Sequence, residues 1–183
     1  MKQLFILMGV AILFASCSST NQAIVDFDKG ADFSKYQTFN WYKDMNSKSE
    51  INQHGYNDLM TARIKNVVKS QMEGRDYHYV EDNSADIHIN AYIMVEEKMG
   101  YRQSPFTPGY YRWYEPSVPY VYKEGKLYID MVDARKKKLV WSGQVEMELY
   151  NDPEKKDAAV RDAVSSIFAK YTFRASQSIT NGL

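Results

Sequence analysis

Residues 125–149 carry the pattern that most narrows what this chain can fold into. Leu127, Ile129 and Met131 alternate with Tyr128, Asp130 and Val132, and Leu139, Trp141, Val145, Met147 and Leu149 alternate with Ser142, Gln144, Glu146 and Glu148. A period of two marks strands with one face buried, so the stretch reads as a β-hairpin. Arg135-Lys136-Lys137-Lys138 forms its solvated tip, a position that also suits contact with anionic lipid headgroups. Parity places Trp141 and Leu139 together on the inner face, because a one-residue slip would bury two glutamates. An apolar sheet face needs a cover, and the rest of the chain must supply it.

Two segments have the right period. Tyr56, Leu59, Met60, Ile64, Val67, Val68 and Met72 recur at three- and four-residue steps, and Gly74 follows as a stop. Asp152-Pro153-Glu154 has the form of an N-cap with proline in the first turn, ahead of a stripe formed by Val160, Ala163, Val164, Ile167, Phe168 and Tyr171. Extended segments are expected over residues 23–27, 33–42, 77–80 and 86–96, the last with Ile87, Ile89, Ala91, Ile93 and Val95 facing the core. The expected fold is α+β: a mostly antiparallel sheet with two helices packed on one face, in the order β-β-α-β-β-insertion-β-β-α.

The amino terminus reads as a targeting segment. Lys2 precedes an uncharged apolar run over residues 4–15, shorter than the ~20 residues a spanning helix needs. Phe14-Ala15-Ser16-Cys17 then resembles a bacterial lipobox, which implies cleavage after residue 16 and acylation of the Cys17 thiol. The expected organisation is a signal peptide over 1–16, a lipidated tether over 17–22, one domain over 23–174 and a polar tail over 175–183. Cys17 is the one cysteine in the chain, so disulfides, cysteine metal sites and a cysteine nucleophile all drop out. Twenty-three basic residues balance twenty-three acidic ones, which gives no bulk attraction to nucleic acid. Attachment to the membrane is therefore expected through lipid, in the bacterial envelope, with Ser18 resembling the pattern that permits outer-membrane sorting.

Several stretches together carry a family resemblance. They are Asp26-Phe27-Asp28, Asp32-Phe33-Ser34-Lys35-Tyr36-Gln37-Thr38-Phe39-Asn40-Trp41, Ala85-Asp86-Ile87-His88-Ile89, the run from Glu124 to Ala134, and Leu139-Val140-Trp141-Ser142-Gly143. As a set they resemble the bacterial lipoproteins grouped as domain of unknown function 4136, over nearly all the mature chain. The resemblance implies a fold and an envelope location and brings no catalytic residues.

Chemistry is sparse. Tyr101, Tyr110, Tyr111, Trp113, Tyr114 and Tyr120 lie within an aromatic, proline-containing insertion over 100–123, a composition suited to stacking on glycan rings or on an extended protein partner. The plainer reading is a long hairpin excursion packed on the sheet. Asp86, His88, Asn90 and Tyr92 share the outward face of one strand, and Tyr128 and Asp130 that of the hairpin. An acid–base pair of His88 and Asp130 would make a cryptic enzyme, but no nucleophile or metal partner accompanies it. His54, His78 and His88 lack metal-ligand spacing, so neither metal nor cofactor is expected. Neither a phosphate-binding loop nor a nucleophile elbow occurs in the chain. The expected function is non-enzymatic binding of an envelope protein or a glycan.

Overall fold

The computed structural model describes residues 22–42, 58–82, 84–103 and 117–175. These form β1 (Ile24–Phe27), β2 (Thr38–Trp41), α1 (Asp58–Glu73), β3 (His78–Tyr79), β4 (Ile87–Gln103), β5 (Ser117–Asp133), β6 (Lys138–Met147) and α2 (Pro153–Phe168). The fold is α+β, with both helices on one face of a six-stranded sheet ordered β1-β6-β5-β4-β2-β3. The sheet is mixed. Pairings β1–β6, β6–β5 and β5–β4 are antiparallel, while β4–β2 and β2–β3 are parallel. The parallel part follows from α1, because a helix between two strands of one sheet carries the chain back to its starting end.

Extended structure ahead of β2 is shorter than expected. Asp32 caps a single 3-10 turn, Phe33–Lys35, by accepting from the Ser34 N–H, so residues 33–37 turn the chain before the strand begins. Phe33 stacks on Phe173 with ring centroids 3.8 Å apart, which ties this turn to the chain after α2.

The core lies between sheet and helices. Met60, Ile64, Val68 and Met72 of α1 and Val160, Ala163, Val164, Ile167 and Phe168 of α2 are buried against Ile87, Ile89, Ala91, Ile93, Leu127, Ile129, Met131, Trp141, Val145 and Met147. Leu59, assigned above to the buried stripe of α1, is 63% exposed: it sits in the first turn, off the line through Met60 and Ile64. Tyr56 lies outside the described residues. Ala175, assigned to the polar tail, is buried and its N–H donates to the Arg75 carbonyl at 3.0 Å.

Trp141 is buried as parity requires, 5.2 Å from the Tyr171 ring and 6.3 Å from that of Phe168. Leu139 is not its companion. Met131 opposes Trp141 but Val132 opposes Leu139, so Val140 is an extra residue on β6. This β-bulge puts Val140 and Trp141 both inside and turns Leu139, half exposed, to the other face. Further along, Gly143 lets α2 approach closely: a Cβ there would stand 2.4 Å from the Trp141 ring and 2.5 Å from Ile167 Cγ2.

The long excursion over 100–123 is, where described, strand. β4 and β5 are 17 residues each and stay in register from Ile87↔Asp133 to Gln103↔Ser117. Their neighbours stop sooner, β2 at Ile89 and β6 opposite Gly125. A two-stranded ribbon therefore projects past the sheet. Val118, Tyr120, Val121 and Tyr122 have the side chains strands favour, and Pro119 is accommodated among them.

Candidate binding face

The sheet face away from the helices is uncovered by any described element. Strand alternation delivers to it His88, Asn90 and Tyr92 from β4, Lys126, Tyr128 and Asp130 from β5, and Ser142, Gln144 and Glu146 from β6. Tyr92 and Tyr128 oppose one another and stack, centroids 5.1 Å apart and planes within 7°. Burial, and after it the nearby Asp130 carboxylate, pushes the Tyr92 hydroxyl up to about 12. Tyr92 thus stays a neutral donor at physiological pH. Asp130 accepts from Ser142 Oγ at 2.6 Å.

Toward the end of the sheet near the hairpin tip, Tyr42, His88, Asn90, Asp130, Lys137 and Leu139 line an open groove of about 450 Å³. The Tyr42 ring meets His88 edge-on at 6.5 Å. Asn90 Oδ1 is buried without a hydrogen-bond partner, an acceptor that a ligand or water entering the groove could satisfy. His88 and Asp130 do line one groove. Yet no hydrogen bond joins them, and they stand opposite Val132 and Asn90 respectively rather than each other.

Asp86, expected beside them, is occupied elsewhere. Its Oδ2 accepts from the Gln37 and Thr38 N–H groups and from Thr38 Oγ1, and its Oδ1 meets Arg135 at 3.1 Å. Burial would raise its pKa, but these donors prevail and hold it below the ordinary carboxylate value. It clamps β2 and the hairpin tip to the start of β4.

At the opposite end the face continues along the ribbon. Tyr120 and Tyr122 lie 5.7 Å apart, and the Arg102 guanidinium sits 5.7 Å over the Tyr120 ring. Tyr120 lies across Gly100, where a Cβ would come within 2.8 Å of its ring. Lys98 pairs with Glu124 and Glu146 on the same face. Tyr101, one residue from Gly100, points the other way and is 69% exposed on the helix side of the ribbon. The structure thus separates Tyr101 from Tyr120 across a sheet. Cys17, Tyr110, Tyr111, Trp113 and Tyr114 lie outside the described residues. Tyr42 is a member of this face that the sequence reading did not select, while Tyr122, one of the aromatics of the 100–123 insertion, joins Tyr120 on it by the parity that picked out Tyr128.

These observations define a two-layer α+β domain with one open, tyrosine-bearing sheet face. The chain belongs to the family of domain of unknown function DUF4136, whose model matches residues 24–171. No curated protein matches it. Among solved structures it is similar to a PDZ domain protein from Parabacteroides distasonis, with a TM-score of 0.53 and 14% identity over 91% of this chain and 40% of that one. It therefore spans less than half of that protein, and the likeness is one of fold. A PelC dodecamer from Paraburkholderia phytofirmans gives a TM-score of 0.37 at 10% identity, over 81% of this chain and 99% of that one.

Proposed function

We propose that the protein is a non-enzymatic, lipid-anchored component of the bacterial envelope that binds a glycan strand, or else another envelope protein, along its open face. The supporting observation is the line of tyrosines on that face, from Tyr42 past the stacked Tyr92–Tyr128 pair to Tyr122 and Tyr120. Aromatic faces interspersed with Asn90, Asp130 and Gln144 suit a sugar polymer, whose rings present apolar faces and whose hydroxyls need both donors and acceptors. Co-sedimentation with insoluble envelope glycan tests the reading. Replacing Tyr120 and Tyr122 together by alanine should lower retention about tenfold or more, since each lost stacking contact is worth roughly 0.5–1.5 kcal/mol. Undiminished retention by that variant would count against the face.

The anchor rests on the residues around Cys17. Cys17→Ser should release the protein from membranes or leave it unprocessed, because an acyl chain contributes roughly 0.8 kcal/mol per buried CH₂. Fractionation with mass analysis of the mature terminus reads this directly. The alternative, a cryptic enzyme, draws on the groove that holds both His88 and Asp130. Their lack of mutual contact makes binding the better-supported use of that groove.

A further inference from the structure

The projecting ribbon has two outer edges, and they are not alike. Tyr42 N–H donates to the Ile89 carbonyl at 2.8 Å, so odd-numbered residues of β4 aim their backbone groups away from β5. Past Ile89 no described strand pairs with that side, which leaves the N–H and C=O groups of Val95, Glu97, Met99, Tyr101 and Gln103 along a free edge. On β5 the odd-numbered residues likewise face outward, toward β6 where β6 is present. Pro119 falls among them, so that edge lacks an N–H where a foreign strand would need one. Only the β5 edge carries this protection. The β4 edge is flanked by Met99, 66% exposed, with Tyr101 and Val121 exposed on the same side.

We infer that the β4 edge pairs with β4 of a second copy of this chain, antiparallel and about a two-fold axis at Met99. Charge selects the register. With Met99 opposite Met99, Glu96 faces Arg102 of the second copy on both sides of the axis, Glu97 faces Tyr101, and Lys98 faces Gly100. Sliding one way to oppose Glu97 with Met99 sets Lys98 against Lys98, and sliding the other way sets Lys98 against Arg102. Pairing over residues 95–103 closes roughly ten backbone hydrogen bonds and joins the two sheets edge to edge. The two open faces become one continuous surface. This inference stands apart from the proposed ligand and from the lipid anchor.

Cysteine cross-linking of the full chain tests it, with the wild type, which carries Cys17 alone, as the control for that thiol. At a directly opposed hydrogen-bonded pair the Cα atoms lie about 5.5 Å apart, within disulfide reach. Met99→Cys should therefore give a covalent dimer on mild oxidation. Tyr101→Cys should not, because its two copies are offset by about 13 Å along the strands. In sedimentation of the detergent-solubilised chain, Glu96→Arg and Arg102→Glu should each weaken self-association about tenfold, and the two together should restore it. Met99→Pro, which removes an N–H from the free edge while leaving the β4–β5 ladder intact, should give monomer with an unchanged circular dichroism spectrum. A chain monomeric at all concentrations, equal cross-linking of both cysteine variants, or cross-linking of Met99→Cys to a different protein alone would each overturn the inference.

Discussion

Asp133 is the one charged side chain buried in the described domain, and it shows how a carboxylate is retained there. Its oxygens accept from the Tyr36 hydroxyl at 2.8 Å and from the N–H groups of Arg135 and Lys136 at 3.0 and 2.8 Å, which shapes the hairpin tip. Burial favours the neutral acid, but these donors outweigh it and lower the pKa below the ordinary value of 3.8. A carboxylate held below its unfolded value contributes stability above that value and loses it as pH falls through the folded one. Denaturant melts from about pH 6 to about pH 3 should show stability falling at the acid end, and Asp133→Asn should flatten that fall. The variant should also be weaker near neutrality by roughly 1–3 kcal/mol, the usual cost of disturbing a buried charged hydrogen-bond set. Trp141→Ala, which empties the space against Phe168 and Tyr171, should cost about 3–5 kcal/mol in the same melts. Gly143→Ala should cost about 1–3 kcal/mol by forcing Trp141 and Ile167 apart.

Among the elements, α2 is the most locally specified. Asp152 accepts from the Lys155 N–H at 2.9 Å, Pro153 occupies the first turn, and the residues read as its buried stripe are buried. Asp152→Ala should lower stability by about 1 kcal/mol, measured by thermal melting, because it leaves an orphan N–H at the helix start. Strand β6 is less legible. Its alternation runs true from Trp141 to Met147, but the bulge at Val140 inverts Leu139, and a two-against-one pairing shows only with the partner strand in place. The ribbon runs beyond the bounds that alternation gave, 86–96 for one strand and 125 for the start of the hairpin. Opposite β4 the ring of Pro119 takes an outer-edge position where no ladder hydrogen bond is lost, which only the pairing reveals.

At the scale of the molecule, local chemistry determined which segments are helix and which are strand. Periodicity, caps and stop residues report on a residue's own neighbours, and so the buried faces of α1, α2, β4 and β5 and the α+β class were legible without coordinates. The same parity placed His88, Asn90, Tyr92, Tyr128 and Asp130 on one outward face, which is the nucleus of the candidate site. Tertiary structure decided what depends on pairing over long separations. It made the sheet mixed by carrying α1 across from β2 to β3, set β1 against β6 at the opposite side of the sheet from β2, and engaged Asp86 with Thr38 and Arg135 instead of with His88. It also brought Tyr92 onto Tyr128 and left both outer edges of the ribbon without a neighbouring strand among the described residues. Hydropathy records which face of a strand is buried but carries no label for the strand beside it; partner, register and edge follow from how the whole set of apolar faces closes around one core.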